Sequence, residues 1–485
     1  MATKWQRILK DASRFRFCNR RLQPYLKYDD SSRPTSYINY ESSLFIRGCQ
    51  TDVPAEGSEV ITSIKKRPIE YDVIIVGGGI VGLATARELI LRHPKVKFAV
   101  VEKENRVAAH QSGHNSGVIH CGIYYTPGSL KAKLCVRGLE LSYKYFDEHN
   151  IPYKRCGKLI VAVDDKEVAR LETLYERGLK NNVKGLEIVG AEKIKEIEPH
   201  CVGKKAIWCP NTGIVDWEGV TKSYARDFQE KGGKIYLSFE AANFEIEKEG
   251  QTGRKEGKKY PILLTGTKEQ ELRCRYVVTC GGLQSDRLAE LTGCDPAPRI
   301  VPFRGEYLLL NPNKRYLVRG NIYPVPDPNF PFLGVHFTPR MNEEVWLGPN
   351  AVLAFKREGY KFSDYDTTDF LDALKFKGFQ RLMMSYFSFG MGEMMRSFFM
   401  SAQVRQLRRF VPELTTADVS RGPAGVRAQA MSLDGKLVDD FVFDGGKGEL
   451  GKRMLHVRNA PSPAATSSLS IAEMIADEVN KKFKL

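Results

Sequence analysis

The chain is short of the features that most often announce a function. It has ten cysteines in 485 residues but no CxxC pair. That argues against zinc ribbons, and scattered thiols suit a reducing interior better than a disulfide frame. Its eight histidines show no metal-ligand spacing, so no metal is expected. No apolar run reaches the roughly 18–20 residues that a spanning helix needs. No internal repeat is visible. Zinc-finger and RNA-binding signatures are missing too, so no nucleic-acid partner is expected.

Acidic residues are scarce at the start. Within residues 1–27, Asp11 alone faces Lys4, Arg7, Lys10, Arg14, Arg16, Arg20, Arg21 and Lys27. A basic, serine-containing, acid-poor start without an apolar core reads as a mitochondrial transit peptide. Residues 28–68 read as a polar linker. Without the first 27 residues the formal charge falls from +16 to +9. The remaining excess favours an anionic ligand or a membrane surface.

What is present suits a globular enzyme: 42% hydrophobic and 27% charged residues. The length calls for more than one core. Tyr71 to Val76 is a β-branched apolar run, the pattern of a buried parallel strand. Ile80 to Leu91 has helical spacing, and Val96 to Val101 is a second buried strand. Further strands are expected at Leu159–Val163, Lys234–Ser238 and Arg275–Cys280, with helices at Trp217–Lys231 and 467–483. Between 299 and 350, proline-rich turns separate short alternating strands, which predicts an antiparallel sheet. Residues 366–411 read as helical. Residues 247–260 read as a charged surface loop.

One motif carries chemistry. Gly77-Gly78-Gly79-Ile80-Val81-Gly82 satisfies GxGxxG, directly after a strand and at the opening of a helix. Gly77 permits the tight turn, Gly79 lets the backbone approach a pyrophosphate, and Gly82 allows close helix packing. The helix N-terminus offers unpaired amides to phosphates. Glu102 ends the second strand twenty residues after Gly82, where a carboxylate can accept from ribose hydroxyls and disfavours a 2′-phosphate. Lys103 follows it. The small, polar stretch His110 to Tyr125, with His114, Asn115, Ser116 and Gly117 at its centre, supplies donors for a cofactor longer than NAD.

At these residues the chain resembles the D-amino-acid-oxidase-like superfamily of FAD-dependent oxidoreductases. The string His110 to Lys133 is more closely similar to the L-2-hydroxyglutarate dehydrogenases. So are Pro302–Tyr307, Gly334–Arg340 and Asn459–Ser467. The resemblance covers roughly 70–485. It implies an α/β fold: a Rossmann-type FAD-binding domain from 71–155, 211–298 and 420–485, and an antiparallel β-sheet substrate domain from 156–210 and 299–419. It also implies that Ser116 and its neighbours touch FAD, that the turn at Gly281 returns the chain to the FAD domain, and that the loop with Pro463, Ala464 and Ala465 lies near the flavin. Many such flavoproteins carry an acid before the last helix. This chain has Pro461-Ser462-Pro463, so backbone amides must serve there.

The resemblance implies oxidation of L-2-hydroxyglutarate to 2-oxoglutarate, with hydride passing from C2 to flavin N5. A base near neutrality and cations for a dicarboxylate are then required. His120 and His336 are the base candidates. Arg427 is the first carboxylate clamp, with Arg304 and Arg340 behind it, and Tyr307 is a further hydrogen-bond candidate. An amino-acid or glycerol-3-phosphate oxidoreductase, or a non-catalytic flavin-binding membrane-associated protein, are the alternative readings. Covalent flavin attachment stays open, since His110, His114 and His120 lie near the flavin loop. Residues 372–409 hold six of the eleven methionines, interleaved with aromatics and flanked by Lys and Arg. Such a segment fits peripheral contact with the matrix side of the inner membrane. The electron acceptor is then a quinone or an electron-transfer flavoprotein.

Overall fold

The computed structural model describes residues 68–247, 259–328 and 333–485. The expected transit peptide (1–27), the linker up to 67 and most of the charged loop at 247–260 lie outside the described residues.

Strand Ile69–Val76 is the middle of the first sheet. Its apolar run leaves Val73, Ile74 and Ile75 with no exposure. Each such side chain contributes about 1.5–3 kcal/mol by leaving water. Glu271–Thr279 and Phe98–Val101 flank it, both parallel to it. Lys234–Tyr236 extends the sheet beyond Phe98–Val101, and Met454–Asn459 lies beside the end of Glu271–Thr279, again in parallel. Parallel neighbours need crossovers, and helix Ile80–Arg92 supplies the first. It packs against helices Trp217–Glu230 and Ser468–Phe483. Arg87 pairs with Asp227 at 2.6 Å on that face.

The second sheet has nine strands. Arg299–Leu310 runs antiparallel to Val419–Met431 along nearly its whole length. This corrects the expected boundary at residue 420: strand Val419–Met431 belongs to the second sheet, because eleven residues of Arg299–Leu310 pair with it, with one register shift between Glu306 and Leu308. The sheet is also not purely antiparallel. Asn321–Pro324 and Lys158–Ala162 pair in parallel. These two strands come from distant parts of the chain, so no hairpin fixes their relative direction. Lys205–Cys209 and Glu187–Gly190 complete that edge.

The expected helical stretch is four short helices: Thr367–Lys375, Lys377–Ser385, Phe387–Phe398 and Met400–Leu407. Ala373, Phe379 and Leu382 pack on Val301, Phe303 and Met431 of the second sheet. The opposite side leaves Leu371, Leu374, Met384 and Phe399 in solvent. Among the described residues no helix is long and apolar enough to cross a membrane.

Candidate functional site

A cavity of about 710 Å³ joins the two sheets. This lies within the usual range of small-molecule sites. Its walls come from the glycine loop, the 111–126 segment, strands Arg299–Leu310, Asn321–Pro324, His336–Pro339 and Val419–Met431 of the second sheet, and the 459–466 loop.

The glycine loop is built as its spacing requires. Gly77 has φ +118°, and a Cβ there would meet the Cys280 carbonyl at 2.4 Å. A Cβ on Gly82 would fall 2.0 Å from the Gly77 carbonyl. Gly79 caps the helix and faces the cavity, where a Cβ would find only the Ser112 hydroxyl at 3.5 Å. Ser112 Oγ accepts the Ile80 amide at 2.8 Å. Among the described residues no acceptor takes the amides of Val81 or Gly82, so the first helical turn keeps donors for an anion.

Glu102 is buried at the end of Phe98–Val101 and does not line the cavity. Its carboxylate accepts Gly78 N at 2.6 Å and Glu104 N at 2.9 Å, clamping the loop to the strand. Burial pushes its pKa upward against those amides. Lys103 is drawn away from the cavity. Its ammonium bonds Glu104 at 2.6 Å, Glu358 at 2.9 Å and His110 Nε2 at 3.1 Å. Those three partners form a group with metal-ligand spacing. The lysine already supplies their cation, so Lys103 serves that cluster rather than a cofactor.

His114, Asn115 and Ser116 line the cavity. The Asn115 side chain ties its own loop, donating to Ser112 O at 2.7 Å and accepting Gly117 N at 2.9 Å. Gly117 lies behind, at φ +76°, where a Cβ would collide with Arg340. Arg340 donates to Asn115 O at 2.7 Å and stacks over Trp346 at 4.1 Å. It braces the loop from outside the cavity, so its expected role as a substrate clamp is corrected. Arg304 is corrected likewise: it is 2% exposed and forks onto Glu306 at 2.7 and 3.0 Å. Gly281 packs on Leu288 and leaves the lining to Cys280 and Gly282.

Pro463, Ala464 and Ala465 line the opposite wall. The Ser467 and Ser468 amides are spent on Pro463 O and Ala465 O at 3.1 Å each. Among the described residues the amides of Ala464 and Ala465 meet no acceptor. The donors on offer therefore lie in the loop, one turn before the helix. Thr466 Oγ1 accepts the His120 amide at 3.0 Å, fixing that loop to the next group of residues.

His120, His336, Tyr307 and Arg427 converge on the same cavity, although more than three hundred residues separate the first from the last. His336 Nδ1 donates to Gly334 O at 3.0 Å, which leaves Nε2 as the unprotonated nitrogen of the neutral ring. Its ring stacks on Tyr323 at 4.0 Å. Burial, with the Arg427 and Lys158 charges, pushes its pKa down to about 3. His120 is lowered by burial first, then by Lys158, His336 and Arg427, and its Nδ1 finds no partner. Burial raises Tyr307 to about 12, so it stays a hydroxyl donor. The cavity thus combines an amide-rich end with an end that holds two neutral imidazoles and the Arg427 side chain.

Sequence reasoning passed over Ser112, Tyr124, Tyr323 and Lys158. A charged residue opening the apolar run Lys158–Ala162 was the available signal for the last.

Residues 72–478 match the family of FAD dependent oxidoreductases. The chain is 64% identical over 417 residues to the mitochondrial L-2-hydroxyglutarate dehydrogenase of Nematostella vectensis, covering 86% of this chain and 91% of that one. It is 59% identical to the human protein of the same name, covering 86% and 90%. Among solved structures, the L-alpha-glycerophosphate oxidase of Mycoplasma pneumoniae aligns with a TM-score of 0.66 at 22% identity, over 85% of this chain and 95% of that one. The glycine oxidase of Geobacillus kaustophilus gives 0.61 at 17%, with the same coverage. These two show the fold alone. The chain belongs to the L-2-hydroxyglutarate dehydrogenase family of FAD dependent oxidoreductases.

Proposed function

We propose that this protein oxidises L-2-hydroxyglutarate to 2-oxoglutarate in mitochondria, using FAD. The observation that carries the proposal is the convergence of a glycine-loop dinucleotide site with His120, His336 and Arg427 in one cavity. The names of the relatives supply the substrate and the compartment. When bound, FAD supplies a two-electron acceptor for the hydride on the carbinol carbon.

The chain's own residues do the rest. The Val81 amide, on the cavity wall at the helix N-terminus, would hold the pyrophosphate. Glu102 holds the glycine loop in place through Gly78 N and Glu104 N. Ser116 and the Ala464 and Ala465 amides would face the flavin, where donors stabilise developing negative charge. Arg427 pairs with the carboxylate next to the reacting carbon. His336 is the base: its Nδ1 proton is held by Gly334 O, so Nε2 is the nitrogen that takes the hydroxyl proton. Its pKa is depressed partly by neighbouring cations. A bound dianion offsets those cations and raises the imidazole toward the working pH. Tyr307 steadies the substrate by hydrogen bonding. His120 is the second base candidate.

The test is anaerobic mixing of the FAD-loaded protein with L-2-hydroxyglutarate, L-amino acids and glycerol 3-phosphate in turn. Loss of the visible flavin band with the first alone supports the reading, and bleaching by another overturns it.

For the acceptor we propose a quinone or an electron-transfer flavoprotein, reached from the matrix face of the inner membrane. Exposed Met384, Met395, Phe398 and Phe399, with Lys375 and Lys377 nearby in sequence, support contact with an anionic lipid surface. Flotation with anionic liposomes should fail for a Met384→Glu, Phe399→Glu double variant. Undiminished flotation would remove the membrane contact.

A further inference from the structure

The cations of the cavity wall are not equally committed. Among the described residues they are Lys131, Arg177, Arg427 and Arg458. Arg458 is spent on Ala297 O at 3.1 Å, Pro298 O at 3.0 Å and Asp444 at 3.3 Å. Arg177 is exposed and donates to Tyr124 O at 3.2 Å. Lys131 differs from both. Its side chain keeps only 18% exposure, yet its ion-pair partner Asp439 stands 3.6 Å away and is 84% exposed. That separation is beyond a hydrogen bond, and a pair so open on one side contributes little.

Local structure aims Lys131 at the cavity. Ser129 caps helix Leu130–Glu148, accepting Ala132 N at 3.2 Å, and donates to Thr126 O at 2.7 Å. Asn181 anchors the preceding turn by donating to Tyr125 O at 2.8 Å. Lys131 lies in the first turn of that helix, which has no acid. A cation there adds to the positive end of the helix instead of offsetting it. The placement costs stability unless an anion answers it. The Lys131 ammonium lies 5.2 Å from the centre of the Tyr125 ring, and Tyr125 lines the same cavity. The Arg427 charge acts on the Tyr125 phenol and on His336. Tyr125 is therefore within reach of both cations. Arg427 belongs to the His336 end, and Lys131 follows the exposed turn Thr126 to Gly128 at the mouth.

We propose that Lys131, held over the Tyr125 ring, forms the subsite for the carboxylate remote from the reacting carbon. The substrate runs outward from Arg427 to Lys131, and its distal carboxylate displaces Asp439 as the partner of the ammonium. This rests on the functional reading above and deepens it: Lys131 determines that a five-carbon dicarboxylate is preferred over a monocarboxylate of equal length. The dicarboxylate gains a charge-assisted contact. The monocarboxylate brings a methyl group to an ammonium and gains none.

The test uses the full FAD-loaded chain with Lys131→Met, Lys131→Arg, Tyr125→Leu and Asp439→Asn. Binding of 2-oxoglutarate and of 2-oxopentanoate is read from the perturbed flavin spectrum. Anaerobic flavin reduction is read with the corresponding L-2-hydroxy acids. Lys131→Met should weaken the dicarboxylates by roughly 10-fold and leave the monocarboxylates nearly unchanged. The loss should appear in the concentration for half-maximal reduction and not in the limiting rate. Lys131→Arg should keep most of the preference. Tyr125→Leu, which removes the ring under the ammonium, should cost the dicarboxylate roughly 3-fold. Asp439→Asn removes the competing anion and should keep or sharpen the preference. An unchanged preference ratio in Lys131→Met, or equal loss on both classes, overturns the subsite while the functional reading stands. If Lys131→Met retains no FAD, the ratios in Tyr125→Leu and Asp439→Asn decide: a preference intact in the first or weakened in the second overturns the subsite. Failure of the unsubstituted protein to be reduced by L-2-hydroxyglutarate overturns the functional reading and this subsite with it.

Discussion

The two ends of the cavity are made differently. The cofactor end is backbone: Gly77 to Gly82 is six contiguous residues, and its chemistry is amide donors and the lack of Cβ atoms. The substrate end is side chains: His120, Tyr323, His336 and Arg427 arrive from four segments of the chain. A backbone site tolerates almost no added atoms. A side-chain site tolerates substitution of shape but not of charge or proton state. Variants at the two ends should therefore fail in different ways.

The largest effect is expected at the cofactor end. Gly82→Val needs space where the Gly77 carbonyl stands 2.0 Å from the added Cβ. The variant should purify without flavin colour, or not fold. Next comes the base. His336→Gln should keep its FAD yet slow flavin reduction by about 10²–10⁴-fold, measured in an anaerobic stopped-flow instrument. If His120→Gln shows that loss instead, the two roles are exchanged. Then the arginines separate. Arg427→Met should weaken catalytic efficiency by about 2–5 kcal/mol at unchanged FAD content. Arg304→Met breaks a buried pair with Glu306 and should cost about 3–5 kcal/mol of stability instead, seen as a lower denaturation midpoint.

The last effect is a pH dependence. His336 and His456 are lowered to about 3 and about 4 from an ordinary 6.5, both mainly by burial, and His120 is lowered as well. Below pH 6.5 the unfolded chain binds protons there that the native protein refuses. Stability is therefore full above 6.5 and falls as the pH drops toward 4, by about 1.4 kcal/mol per pH unit for each histidine. His456, held between Thr279 at 2.8 Å and Thr292 at 2.7 Å, lies away from the cavity. His456→Gln should flatten the slope of denaturation midpoint against pH without changing substrate preference.

The same contrast decides what could be read from the sequence. The first sheet was legible because buried parallel strands and a glycine turn leave local signatures: Ile69–Val76, Ile80–Arg92 and Phe98–Val101 fall where periodicity placed them. The second sheet was legible in Leu159–Val163 and in the short strands between 299 and 350, and not in Glu187–Gly190, Lys205–Cys209, Val419–Met431 or the pairing. Nothing local says that Val419–Met431 must lie along Arg299–Leu310, or that Asn321–Pro324 must meet Lys158–Ala162 in parallel. The arginines show the limit most clearly. Arg304, Arg340 and Arg427 look equivalent in sequence. Only packing shows that Glu306 claims the first, that the second braces Asn115, and that the third reaches the cavity. Lys158 was missed because a lysine at the head of a strand usually faces solvent.

The central claim is tested most directly by mixing the FAD-loaded protein anaerobically with L-2-hydroxyglutarate and following the flavin absorbance and the products. Stoichiometric bleaching with one 2-oxoglutarate formed per flavin is the predicted result. An unchanged spectrum in folded, flavin-replete protein would contradict the account.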